Sequence, residues 1–113
     1  MTEKDIENKI KFALKQAGCY YIKNHGSQYA APGIPDIIFN LDGWFIALEV
    51  KKHPNKPTMI QQFHLKEIAK NKGIALIVNE LNLEKFCEIL KRRKYEDFVC
   101  FSKECFELFK IKE

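Results

Sequence analysis

The chain has 113 residues, 46% hydrophobic and 30% charged, with a formal net charge of +4, which fits one globular domain over residues 1–113 with a modest core. Its longest apolar runs are about five residues, far short of a membrane span, and the polar amino terminus argues against secretion, so a cytoplasmic protein of bacterial or phage origin is expected. The four cysteines, Cys19, Cys87, Cys100 and Cys105, form no C-x-x-C pair, which speaks against a zinc site or disulfide framework and for free thiols in a reducing compartment.

Residues 3–17 have the spacing of an amphipathic helix: Ile6, Ile10, Ala13, Leu14 and Ala17 share a face, Thr2 can cap it and Gly18 ends it. A first strand is expected over 19–23, followed by a loop rich in small residues over 24–33. The loop lacks the Gly-Lys-Ser/Thr ending of a phosphate-binding P-loop, so no nucleotide cofactor is expected. Pro35 makes Asp36 the first regular residue of a second strand. Asp42-Gly43 provides a tight turn into a third strand ending at Val50. After a polar connection come a helix over 58–72, an apolar strand over 74–78 of the kind buried in parallel sheets, and a helix over 82–93. The tail, 98–110, contains four of the nine phenylalanines and reads as a strand plus a short helix. It is a candidate dimer surface or cover for a sheet edge, with plain core packing as the competing role. An antiparallel meander followed by a β-α-β crossover gives an α/β fold around a mixed sheet.

Charge is unevenly spread. Residues 51–72 hold six lysines against the single acid Glu67, an excess that attracts an anionic polymer, although many lysine-rich surfaces only maintain solubility. Immediately before it, strands that should be buried carry Asp36, Glu49 and Lys51. Charges on a buried strand are costly unless paired or bound to a metal. Two carboxylates on adjacent strands suit a hard cation such as Mg²⁺, the Val50 carbonyl beside Glu49 can add an oxygen, and Lys51 lies on the Glu49 face. Phosphodiester hydrolysis uses such parts. The plainer alternative is a structural Glu49–Lys51 pair with Asp36 as a turn residue.

Pro35-Asp36, twelve intervening residues and Glu49-Val50-Lys51 resemble the PD-(D/E)XK nuclease signature. With Gly18, Lys23, Gly33-Ile34-Pro35-Asp36, Lys52 and Thr58-Met59-Ile60-Gln61, the sequence over residues 7–78 resembles the VRR-NUC (virus-type replication-repair nuclease) family. That resemblance implies a restriction-endonuclease-like core over about 3–80, in the order α-β-β-β-α-β with mixed sheet and flanking helices, and an extra helical segment over about 81–113. It implies Mg²⁺, replaceable by Mn²⁺, held by Asp36, Glu49 and the Val50 carbonyl. Lys51 would position the attacking water or stabilise the transition state, and Glu7 would touch the metal through water or bind a second ion. A solvated Glu7 beside Lys11 at i+4 is the bland alternative. Gln61 is implied at the site, yet Thr58-x-x-Gln61 also reads as a capping box. Lys23, His25, Ser27 and Lys52 are the candidate substrate contacts, with ordinary loop roles competing for His25 and Ser27. The activity implied is endonucleolytic cleavage of DNA, branched DNA in particular, by a homodimer similar to Holliday-junction resolvases and without a membrane partner. Flap, duplex or restriction specificity is the alternative, as is a nucleic-acid-binding module with little catalysis.

Overall fold

In the computed structural model, which describes residues 1–26 and 31–112, a four-stranded mixed sheet lies between helices. Helix α1 (Glu3–Gln16) opens with a reciprocal cap: the Thr2 hydroxyl accepts the Asp5 N–H at 3.1 Å and the Asp5 carboxylate accepts the Thr2 N–H at 2.9 Å. Strands β1 (Tyr20–Lys23), β2 (Ile37–Leu41) and β3 (Trp44–Val50) form an antiparallel meander. Its β2–β3 turn puts both Asp42 and Gly43 at positive φ, 53° and 93°, the backbone that matches the sheet's twist. Helix α2 (Met59–Lys70) then crosses over to β4 (Ile74–Val78), which pairs in parallel with β3 and gives the order β1-β2-β3-β4. Helices α3 (Leu83–Arg92) and α4 (Tyr95–Leu108) complete the fold.

Strand register sorts side chains between two faces. Ile37, Phe39, Ile46, Leu48 and Val50 point towards α1 and α3, where Phe39 meets Phe86 edge-on with ring centroids 6.2 Å apart. Ala47, Glu49, Ala75 and Ile77 point the other way, towards α2. On this second face Tyr20, Ile22 and Phe45 are exposed, and so are Ile60 and Phe63 of α2.

The tail differs from its expected strand plus short helix: it is one fourteen-residue helix, α4. Phe98, Phe101, Phe106 and Phe109 are buried in the core cluster, so they are not a dimer surface. Along β4, the outward carbonyls of Ala75 and Ile77 accept from the Ser102 hydroxyl at 2.7 Å and the Cys105 thiol at 3.3 Å. Side chains of α4 thereby take the place of a fifth strand. Among the described residues, no helix is long and apolar enough to cross a membrane.

Candidate functional site

Asp36 stands one position before β2, where register continues to place it opposite Glu49 of β3. Its backbone carbonyl accepts the Asn24 N–H at 2.8 Å, and its side-chain Oδ2 accepts the Val50 N–H at 2.8 Å. The carboxylate therefore closes the end of the β2–β3 ladder. The approach to it depends on Gly33, which has φ +81° and runs so close to α2 that a Cβ would stand 2.8 Å from Ile60 Cγ2. Only glycine combines that conformation with that approach.

Glu49 is 1% exposed. Its Oε1 accepts from Gln61 Nε2 at 3.4 Å, and its Oε2 has no hydrogen-bond partner among the described residues. Burial, reinforced by the adjacent Asp36 carboxyl, pushes the Glu49 pKa up to about 9, although the Lys51 ammonium pulls it down. At neutral pH the bare carboxyl pair thus retains a proton. Both readings of Gln61 hold geometrically: Oε1 accepts the Thr58 N–H at 2.8 Å in a capping box while Nε2 turns to Glu49. The cap fixes the side chain that faces the site.

Other candidates lie elsewhere. Glu7 is buried on α1, bound to Lys23 at 3.1 Å and to Lys4 and Lys11 at 3.3 Å each. Burial would raise its pKa, but Lys23, Lys11 and Lys4 outweigh that and hold it below the ordinary value. Lys23 shares a strand face with Ile37 and Leu48, the α1 side, whereas Glu49 faces α2. Glu7 and Lys23 thus pair with each other on the α1 side of the sheet, while the Glu49 side chain turns to Gln61 of α2. Among the described residues, no three His, Cys, Asp or Glu side chains converge on one point. Lys52 is ion-paired with Glu80, which also accepts the His53 N–H at 2.9 Å. His25 is exposed, and Ser27 lies outside the described residues. Glu80 was missed because its partners are 27 and 28 positions away and no local pattern marks it.

The oxygen-rich donor set fits a hard cation: Glu49 Oε2, buried beside Asp36 and without a partner among the described residues, is placed to exchange its proton for an ion, and two carboxylates leave room for the waters Mg²⁺ retains. Two grooves, of about 650 and 710 Å³, lie elsewhere, by Trp44 and Tyr95 and between α1 and α3, and neither includes Asp36, Glu49 or Lys51.

No protein-family model matches the sequence, and no curated protein matches it significantly. Solved structures with a similar fold include Hjc, a Holliday junction resolvase from the archaeal hyperthermophile Archaeoglobus fulgidus, with a TM-score of 0.54 and 21% identity over 67% of this chain. The shared feature is the fold. It is restriction-endonuclease-like, as the motif resemblance implied. The chain spans 66% of that resolvase chain, just under two thirds. The VRR-NUC affiliation is a finer statement that rests on the sequence motifs alone.

Proposed function

We propose that the chain is a metal-dependent endonuclease of the VRR-NUC type that hydrolyses phosphodiester bonds in branched DNA, as a Holliday-junction resolvase does. The observation that carries this reading is the buried Glu49 beside the half-buried Asp36, with Glu49 Oε2 unpartnered among the described residues, set in a fold similar to that of Hjc. Asp36, Glu49 and the Val50 carbonyl would hold Mg²⁺ or Mn²⁺. When bound, such an ion supplies Lewis acidity, lowering the pKa of water and offsetting phosphate charge. Lys51 would meet the charge that develops on phosphate oxygens, and Gln61 would orient Glu49 or the incoming water. On the same helix and just beyond it, Lys66, Lys70 and Lys72 have no ion-pair partner among the described residues. They are the free cations a phosphate backbone would meet. Exposed apolar side chains, Tyr20, Ile22 and Phe45 on the sheet and Ile60 and Phe63 on α2, support homodimerisation, because two-fold contacts bury such residues.

Labelled four-way junction, flap and linear duplex should be incubated with Mg²⁺, Mn²⁺ or EDTA, beside Asp36→Ala and Lys51→Ala. Junction cleavage that needs metal and disappears in both variants is expected. Cleavage in EDTA, or by either variant, would remove the proposed site. Junction binding without any cleavage would make the chain a recognition module instead.

A further inference from the structure

Two lysines follow Glu49-Val50, and only one can serve the carboxyl pair. We propose that Glu80 is a positioning residue that latches residues 51–53 to the β4–α3 turn, so that Lys51 is presented to Asp36 and Glu49 while Lys52 is held away. This rests on the nuclease reading above. Beyond Val50 the chain is stitched to β4 and the following turn at successive points. The Lys51 N–H donates to the Val78 carbonyl at 3.0 Å, the His53 N–H donates to Glu80 Oε1 at 2.9 Å, and the Lys52 ammonium pairs with Glu80 Oε2. One carboxylate thus holds both the backbone and the side chain of the segment that must not swing. Strand alternation then leaves Lys51 on the Glu49 side, where its charge acts on Glu49.

The platform under Glu80 is itself fixed. Asn79, 2% exposed, accepts the Leu81 and Asn82 N–H groups at 2.9 and 3.2 Å through Oδ1. Asn82 Oδ1 accepts the Asn79 N–H at 2.8 Å, and Asn82 Nδ2 donates to the Ile77 carbonyl at 2.9 Å. An exposed ion pair by itself positions little. A carboxylate on a side-chain-braced turn, bonded to a backbone amide as well as an ammonium, restrains a direction. The carboxylate also cancels Lys52, which would otherwise be a phosphate contact.

Full-length protein should be compared with Glu80→Ala and Glu80→Gln by single-turnover junction cleavage, junction binding across a salt series, and amide exchange at His53. Glu80→Ala should lower the cleavage rate about tenfold or more, the scale on which misplaced catalytic groups act. Its affinity should stay the same or tighten, with a binding slope against log salt steeper by about one as Lys52 reaches phosphate. Glu80→Gln keeps an acceptor for His53 and should restore most of the rate while keeping the steeper slope. In exchange, the His53 amide should open in Glu80→Ala and stay protected in Glu80→Gln. Unchanged cleavage in Glu80→Ala, or a loss fully matched by weaker binding, overturns the positioning role. If the unsubstituted protein cleaves no substrate, the nuclease reading fails on its own. The latch is then decided by exchange: protection lost in Glu80→Ala alone upholds it, and unchanged protection overturns it.

Discussion

Glu49 and Asp36 make different demands on the fold although both are carboxylic acids. Glu49 has a folded pKa of about 9 against an ordinary value of 4.5, so between those values the native state binds more protons than the unfolded chain. Stability of the metal-free protein must therefore fall as pH rises through that window, and below about pH 4.5 the penalty disappears. Glu49→Gln in EDTA should raise the melting temperature at pH 8, reflecting a gain in unfolding free energy on the order of a few kcal/mol given ~1.4 kcal/mol per unit of separation. Near pH 4.5 the gain should vanish; an equal gain at both pH values would refute the buried charge as its cause. Asp36 instead has a structural duty, accepting the Val50 N–H. Asp36→Asn, which keeps an acceptor, should melt close to the parent, whereas Asp36→Ala strands a buried amide at a cost of about 1–3 kcal/mol. Thermal melts of the two variants separate this duty from loss of cleavage. The placement of Asp36 opposite Glu49 was legible in the sequence because the spacing is local to one hairpin. The partition of lysines was not: Glu7 captures Lys23 from the neighbouring strand and Glu80 captures Lys52, choices that exist only once the chain is folded.

Among the elements, helices and strands whose apolar period was clean appeared within a residue or two of expectation, from α1 through β4. The tail did not, since Phe-Val-Cys-Phe at 98–101 has local strand preference. Packing decided otherwise: Phe98, Phe101 and Cys105 recur at helical intervals, and only a helix buries them while reaching the β4 carbonyls. Phe98→Ala should consequently cost about 3–5 kcal/mol, as for other buried aromatics, whereas Phe63→Ala, on the exposed side of α2, should stay within about 0.5 kcal/mol. Urea titrations of both variants test whether the tail belongs to the cooperative core; near-equal midpoints would show that it does not. Gly33→Ala should disturb the delivery of Asp36, because the new methyl meets Ile60 at a backbone conformation alanine avoids. Val50 amide exchange in that variant should rise, and an unchanged rate would detach the loop from the site.

For the whole molecule, the carboxyl pair lies away from both large grooves, with lysines beyond it and an open apolar face to one side. On the proposed dimeric nuclease reading, Ile22→Asp should shift the protein from dimer to monomer in sedimentation equilibrium and lower junction cleavage, while its melting temperature stays near the parent's. A parent that sediments as a monomer at working concentration would exclude the paired arrangement. The two borders of the sheet are also unequal. On β4 the side chains of α4 occupy the outward carbonyls of Ala75 and Ile77, while among the described residues β1 has no strand neighbour on its outer side. Edge-to-edge growth needs two sticky ends, and here only one is available. A second copy that joins through β1 presents only blocked borders outward, so association by this route terminates at two and cannot run on into a fibre.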